Sequence, residues 1–163
     1  MKLDKVGQSA LLRLAEVDLE ITQIKHEIAS AIDSKELETL RANSSAVAGE
    51  LIAARTTVEN LEANQRRADD DLHLVDTRIA RDKERLNQTS SPKDAQGIQS
   101  EIESLERRKS ELEDTELGIL SELEEASKVL SEISSRRDAI NAAMNDLQTK
   151  IQETVDSLKT RGR

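Results

Sequence analysis

The chain has 163 residues, with 24 Lys and Arg against 33 Asp and Glu, which gives a net charge of −9. It contains no Phe, Tyr, Trp or Cys, and only 1 Pro. Compact cores normally use aromatic side chains for bulk, and thiol chemistry needs Cys. The composition therefore disfavours a globular enzyme, a disulfide framework and a cysteine-ligated metal. A highly charged chain rich in Glu, Leu, Ala and Arg is typical of a long helix or coiled coil.

No segment of the sequence has the pattern of a membrane span or a secretory signal. The longest uninterrupted apolar stretch is Leu51–Ala54, which is far too short to cross a bilayer. The first 18 residues carry charges throughout and lack an apolar signal region. We therefore expect a cytoplasmic protein without a membrane partner.

The first predicted element is a helical segment over residues 1–32. Its apolar residues recur at alternating steps of three and four: Leu14, Val17, Ile21, Ile24 and Ile28. Continuing this rhythm does not reach Leu37, so the pattern predicts a kink near residues 32–35. Asp33 and Glu36 can form a capping pair at this kink.

The second element is the first arm, residues 34–87, which carries a sustained apolar stripe. Its 15 positions are spaced by three and four, and 12 of them are apolar: Leu37, Leu40, Ser44, Val47, Leu51, Ala54, Val58, Leu61, Gln65, Ala68, Leu72, Val75, Ile79, Asp82 and Leu86. A mean step of about 3.5 residues places such positions in one coiled-coil seam.

A short polar turn follows the first arm at the lone proline. Asn87 can end that arm in a left-handed cap. Ser91 is a good N-cap for the next helix, Pro92 fits its first position, and Asp94 can complete a capping-box-like arrangement. Because so short a connection makes consecutive helices antiparallel neighbours, the predicted fold is all-α, a single long antiparallel coiled-coil helical hairpin with its tip near residues 87–92.

The second arm, residues 91–161, carries a matching seam. It has 18 positions, 14 of them apolar: Ile98, Ile102, Leu105, Lys109, Leu112, Glu116, Ile119, Leu123, Ala126, Leu130, Ile133, Arg137, Ile140, Met144, Leu147, Ile151, Thr154 and Leu158. If Leu86 faces Ile98, the numbers of facing residues add up to 184, and every seam residue of the first arm meets one of the second. A slip of seven residues would also align the heptads, so the turn must select the register.

This register leaves the start of the chain without a partner helix. Leu158 lies beside residue 26, so Leu14 and Val17 extend past the second arm. Either a second copy covers them, as a homodimer through residues 1–30, or the protein continues past residue 163.

The turn and the helix after it resemble a known family. The stretch Thr89–Leu105, which contains Ser-Pro-Lys-Asp-Ala-Gln, looks like the Ser-Pro-Lys-Glu-Leu-Gln tip motif of the bacterial C4-type zinc-ribbon proteins. Arg107–Glu113 and the opening Gln8–Asp18 match the same pattern. In that family a coiled-coil hairpin precedes a zinc ribbon, and the resemblance implies a nucleic-acid-binding or transcription-associated regulator that acts through protein partners.

The chain departs from that family in one respect. Two Cys-x-x-Cys pairs would follow the hairpin, whereas this sequence has no Cys. No metal or cofactor is therefore expected in this chain, and zinc is expected only if a ribbon exists in the full-length protein.

The most basic region of the sequence surrounds the turn. The candidate partner-binding residues are Arg78, Arg81, Lys83, Arg85, Ser91, Pro92, Lys93, Arg107 and Arg108. Three interpretations stay open: ordinary helix pairing with Glu101, Glu103 and Glu106, a protein partner, or direct nucleic-acid contact. The absence of aromatic stacking platforms weighs against the last.

Polar residues also interrupt the seam: Gln65, Asp82, Lys109, Glu116 and Arg137. Such residues can fix register at a cost in stability. In the 184 register Arg67 lies near Glu116 and could pair with it.

No catalytic constellation is present, since the sequence has neither a Gly-rich phosphate loop nor a nucleophile elbow. We therefore expect a non-enzymatic interaction module, the stalk of a zinc-ribbon-type regulator. A holdase-like chaperone or a purely structural coiled-coil scaffold is the alternative.

Overall fold

A computed structural model describes residues 4–32 and 35–161 of the chain. These residues form three helices, α1 (Lys5–Ile32), α2 (Lys35–Gln88) and α3 (Pro92–Arg161), and contain no strand. The predicted all-α coiled-coil hairpin is therefore confirmed. The predicted capping residue Asp33 lies outside the described residues.

The chain divides into two compact parts. The tip part is Glu50–Ser134, which holds the later portion of α2, the turn and the earlier portion of α3. The terminal part combines the residues up to Gly49 with those from Ser135 onward, so it contains α1, the start of α2 and the end of α3.

The predicted seam of α2 is confirmed by burial. All 15 of its positions from Leu37 to Leu86 are buried or half-buried. On the two arms together, the buried apolar residues of the described chain all fall on seam positions: Leu37, Val47, Leu51, Ala68, Ile79, Ile98, Ile102, Leu112, Ile133 and Leu158. Because two helices cover each seam from one side only, no large side chain of the described residues is less than 2% exposed.

The predicted seam of α3 is wrong at one position. Thr154 is exposed, and its neighbour Val155 is half-buried instead. An α-helix has about 3.6 residues per turn, so a strict step of 3.5 drifts around the helix over several heptads. Near the end of α3 this drift brings the apolar Val155 to the covered face.

Ion pairs between the arms define the register in the tip part. Arg78 pairs with Glu101, Asp76 with Lys109 and Lys83 with Glu106, so that the paired numbers add up to 179, 185 and 189. These values lie on both sides of 184, as expected for residues that flank a seam centred there. A slip of seven residues would centre the pairs on 177 or 191.

The turn begins later than predicted. No non-glycine residue of the described chain has a positive φ, so Asn87 does not form the predicted left-handed cap. Instead α2 continues to Gln88, and the Thr89 N–H donates a helical hydrogen bond to the Arg85 carbonyl at 3.0 Å. Only Thr89, Ser90 and Ser91 then separate the two helices.

The predicted N-cap of α3 is present, but its reciprocal bond differs. The Ser91 Oγ accepts a hydrogen bond from the Asp94 N–H at 3.4 Å, and α3 begins at Pro92. The Ser91 N–H donates to the Thr89 hydroxyl at 3.4 Å, not to the Asp94 carboxylate. A three-residue turn brings the Thr89 hydroxyl close to Ser91, which explains why this side chain takes the place of Asp94.

Candidate functional site

Three of the nine candidate residues, Ser91, Pro92 and Lys93, lie at the turn, and the other six lie along the two helices that meet there. Ser91 and Pro92 start α3, so they serve the local fold. The other seven are cations on α2 or α3, and Lys93 is the second residue of α3. Lys93 also lines a shallow groove at the turn, together with Arg85, Gln88, Thr89, Asp94, Gly97, Ile98 and Glu101.

Two of the candidate cations join the arms to each other. An Arg78 guanidinium nitrogen lies 3.2 Å from the Glu101 carboxylate, and the Lys83 Nζ lies 3.9 Å from the Glu106 carboxylate. All four side chains are at least 40% exposed, so each pair contributes little to stability in solution. Their effect is on the register, because they form only when the antiparallel helices are aligned in this way.

Two further cations pair within their own helix. Arg85 contacts the Asp82 carboxylate at 3.3 Å, and Arg108 contacts Glu111 at 3.6 Å. Together with the pairs between the arms, these contacts engage four of the seven candidate cations. Helix pairing, one of the three open interpretations, therefore accounts for part of the basic region.

The other three candidate cations are exposed and uncompensated. Within the described residues, Arg81, Lys93 and Arg107 form no ion pair. Their charges remain available at the surface in a chain whose net charge is −9. Chemically, such cations can bind carboxylates or phosphates from another molecule.

Asp82, one of the polar residues predicted to interrupt the seam, is buried. It is 4% exposed and is the one buried charged residue among those described. Its Oδ1 accepts a hydrogen bond from Arg85 at 3.3 Å, whereas its Oδ2 has no hydrogen-bond partner. Its seam position was evident from the sequence, whereas the unpaired Oδ2 is visible only in the structure.

Two other polar seam residues occupy equivalent layers one heptad apart. The Lys109 Nζ lies 2.8 Å from Asp76 and 4.0 Å from Glu113, and the contact with Asp76 raises the pKa of Lys109 above its ordinary value. Glu116 instead meets the carboxyl group of Asp69. The hydrogen bond to Asp69, desolvation and the charges of Asp69 and Glu113 raise the pKa of Glu116.

The expected ion pair between Arg67 and Glu116 is absent from the described residues, and that prediction was wrong. Asp69 lies two residues beyond Arg67 on α2 and is the group that contacts Glu116. The two residues flank the seam residue Ala68 on opposite sides, and Glu116 meets the side that carries Asp69.

Neither a metal cluster nor a membrane span is found in the described part of the chain. No group of three or more His, Asp or Glu side chains lies close enough there to hold a metal ion. None of α1, α2 and α3 contains a stretch apolar enough to cross a membrane.

Comparison with known proteins identifies a family. Residues 14–163 match the family described as CT398-like coiled coil hairpin domain. An uncharacterized protein of Mycobacterium tuberculosis, found in strains CDC 1551 / Oshkosh and H37Rv, is 29% identical over 158 residues. The match covers 95% of this chain, and the chain spans 64% of the length of these curated relatives.

A solved structure shows the same fold. A Mycobacterium smegmatis protein, described under the heading of structural characterization, aligns with a TM-score of 0.77 and 27% identity. The alignment covers 99% of this chain and 67% of the other.

Proposed function

The chain belongs to the family of CT398-like coiled coil hairpin domains, and on that premise we propose that it is a non-enzymatic interaction module that binds a protein partner at its tip. The observation that carries this proposal is that the exposed cations Arg81, Lys93 and Arg107, on the two helices that meet at the turn, have no ion pair in the described part of the chain. An acidic protein surface is the complementary partner, because charge complementarity steers association and selects partners.

Two features favour a protein over a nucleic acid. The sequence has no aromatic residue, so it offers no platform on which a base could stack. Its net charge of −9 also disfavours contact with a phosphate backbone. A direct nucleic-acid contact would therefore depend on exposed cations such as Arg81, Lys93 and Arg107, without base stacking.

The more specific form of the proposal is that the hairpin is the stalk of a cytoplasmic zinc-ribbon-type regulator of transcription or nucleic-acid binding. It is supported by the resemblance of Ser91–Gln96 to the tip motif of such proteins. Because this chain has no Cys, any zinc would be held by residues outside it, and the hairpin would contribute only partner binding.

The test is site-specific photo-cross-linking from the tip of the full-length protein in its own cells. A photoreactive residue in place of Lys93 should capture a discrete protein, and the R81E/R107E background should abolish that product. The matched control is the same photoreactive residue at Ser121, an exposed position on α3. No protein product at residue 93, or the same products at residue 121, would contradict the proposal.

Two assays separate the alternative functions, a nucleic-acid titration and an aggregation assay. Binding of single-stranded RNA or duplex DNA that falls steeply between two salt concentrations would favour a nucleic-acid role. Suppression of client aggregation would favour a holdase, although the turn Gln88–Lys93 is polar. A structural scaffold predicts neither activity and no cross-linked partner at the tip.

A further inference from the structure

Two shallow grooves lie on the same edge of the seam in the tip part. One is the groove at the turn, and Glu101 lines it. The other lies further from the turn, and Arg78 lines it. The ion pair between Arg78 and Glu101 joins the two grooves, so both belong to one edge of the hairpin. We call it the groove edge, and it comprises the residues that share a face with Arg78 on α2 and with Glu101 on α3.

The groove further from the turn has an apolar floor. The floor consists of the seam residues Val75, Leu105 and Leu112 together with Leu74, which lies outside the seam. Leu74 is 62% exposed, and Val75 and Leu105 are only half-buried. The apolar surface of the seam therefore continues outward to Leu74, where it is available for contact with another molecule.

Leu74 lies between two arginines at equal spacing along α2. Arg67 comes seven residues before it and Arg81 seven residues after it. Seven residues make nearly two turns of a helix, so the three side chains follow one line along the surface, with each arginine about 10 Å from Leu74. Both arginines are exposed, and neither forms an ion pair within the described residues.

The groove edge of α2 is basic, although the chain is acidic overall. Between residues 67 and 88, this face carries four arginines and one acid: Arg67, Asp71, Arg78, Arg81 and Arg85. Arg78 and Arg85 already contact acidic residues of this chain. Arg67 and Arg81 therefore carry the charges left for another molecule, and acidic groups complement them.

The rim of the groove edge on α3 is low. Gly97 lies four residues before Glu101 and Ser104 three residues after it, so both share the face of Glu101. Both are exposed, and a Cβ atom at Gly97 would meet no atom within 4 Å. Small side chains at this rim leave room for the backbone of a further helix beside Leu74.

A helix fits this surface better than an extended peptide does. Helices form both walls of the grooves, so no strand edge is present to pair with the backbone groups of an extended peptide. A helix satisfies its own backbone hydrogen bonds, and its side chains also recur on one face every seven residues. An apolar side chain with an acid seven residues before and after it therefore meets Leu74, Arg67 and Arg81 together.

We propose that the acidic partner places an amphipathic helix along the groove edge, with an apolar side chain on Leu74 and carboxylates at Arg67 and Arg81. The inference rests on the proposed function, because it specifies which kind of segment of that partner is bound and where. Arg67 and Arg81 are 14 residues apart, so the bound helix covers about 21 Å of α2.

A designed peptide tests the charges of this surface in the 163-residue chain. The probe is a fluorescent helical peptide with a central stripe of leucines and a glutamate seven residues before and after the middle one. Its anisotropy should rise on binding at low salt, and a peptide with lysine in place of both glutamates should bind at least tenfold more weakly. R67E/R81E should reverse this preference. The control R55E/R66E changes the net charge equally, at two exposed arginines of α2 away from the groove edge, and should keep the preference for glutamate.

The apolar contact is tested with the same glutamate peptide. L74A should weaken its binding severalfold, because the substitution removes the apolar side chain between the two arginines. L117A changes a similarly exposed leucine of α3 and should leave binding unchanged. Circular dichroism checks that each variant keeps its helix content, which is expected because all the replaced side chains are exposed.

Cross-linking in cells separates this inference from the proposed function. A photoreactive residue at Ser104 should capture the same protein as the one at position 93, through a segment in which acids lie seven residues before and after an apolar residue. Ser110, an exposed serine of α3 outside this face, is the matched control and should not capture it.

The outcomes of these experiments are distinct. Capture at position 93 without capture at Ser104, or equal capture at Ser110, would overturn the inference and leave the proposed function intact. No capture at either position 93 or Ser104 would overturn both. Equal binding of the two peptides, no binding of the glutamate peptide, or capture of a second copy of this chain or of a nucleic acid at Ser104 would also overturn the inference.

Discussion

The ammonium group of Lys109 on α3 lies 2.8 Å from the carboxylate of Asp76 on α2. The Lys109 Nζ also lies 4.0 Å from the Glu113 carboxylate, so one cation in the seam pairs with two acidic residues that flank the seam. One heptad further along α3, Glu116 occupies the equivalent seam position and meets Asp69. The same geometry therefore holds an opposite-charge pair in one layer and a like-charge pair in the next.

This relationship predicts that Glu116→Lys stabilises the hairpin at neutral pH, because it converts the like-charge layer into a copy of the Lys109–Asp76 layer. The reciprocal change, Lys109→Glu, should destabilise it. Urea unfolding at low and high salt measures both effects, which should shrink as salt screens the charges. Equal stability of Glu116→Lys and the wild type at low salt would show that the layer is not electrostatically coupled.

The stability contributed by Glu116 should depend on pH with a defined sign. Its pKa is raised above 4.5 in the folded state, so the folded chain takes up this proton before the unfolded chain does. The contribution therefore rises as pH falls from neutral toward 4.5, and it is lost as pH rises through the raised value.

Glu116→Gln tests this sign, because glutamine removes the charge and keeps the shape. Its stability advantage over the wild type should be largest near neutral pH and should shrink toward pH 4.5. Asp114→Asn, at an exposed position on α3, is the matched control and should show a smaller change over the same range. An advantage of Glu116→Gln that grows as pH falls would contradict the assignment.

The spacing of apolar residues predicted most of the fold, because a helical period leaves its mark on every turn of the sequence. The seam of α2 follows directly from that spacing, the exposure of Leu14 and Val17 from the register of the seams, and the cap at Ser91 from the Ser-Pro pair at the turn. The end of α2 was predicted wrongly at Asn87, because the end of a helix depends on where the next helix packs. Arg67 was assigned to Glu116 wrongly, because Arg67 and Asp69 both flank Ala68 and the register alone does not say which of them meets Glu116.

The candidate site was harder to predict than the fold. The basic residues around the turn were candidates from the sequence, but only the structure separates Arg78, which bridges the arms, from Arg81, which does not. Such ion pairs form between positions that flank the seam on α2 and α3. They can therefore be predicted only when the register of the two helices is known.

Asp82 should limit the stability of the tip part. Its Oδ2 is buried without a hydrogen-bond partner, and an apolar side chain would suit the seam better. Asp82→Leu should raise the free energy of unfolding by about 1 kcal/mol, and Arg85→Ala should lower it by about 1 kcal/mol or more, because it removes the remaining partner of a buried carboxylate. The exposed Asp70 provides the control, and Asp70→Leu should have little effect. Destabilisation by Asp82→Leu would mean that the carboxylate is satisfied in solution.

Gly118 weakens α3 without serving its packing. A Cβ atom at this position would meet no atom within 4 Å, and the residue does not have a positive φ. Gly118→Ala should therefore raise the free energy of unfolding by about 0.5–1 kcal/mol, the usual difference between these residues in a helix interior. Gly97, where a Cβ also meets open space, offers an independent repeat with the same expected gain. A loss of stability in both variants would indicate contacts absent from this structure.

The doubling back of the chain at Ser91 and Pro92 is tested most directly by a distance measured far from the turn. Spin labels on cysteines introduced at Glu62 and Ser127, two exposed positions in the tip part, would be the only thiol-linked labels because the chain has no Cys of its own. Diluting labelled with unlabelled protein restricts the measurement to one molecule. The hairpin predicts a separation below about 25 Å, since packed helix axes lie about 8–10 Å apart. A continuous helix would separate the two labels by roughly 100 Å, and that result would contradict the antiparallel hairpin.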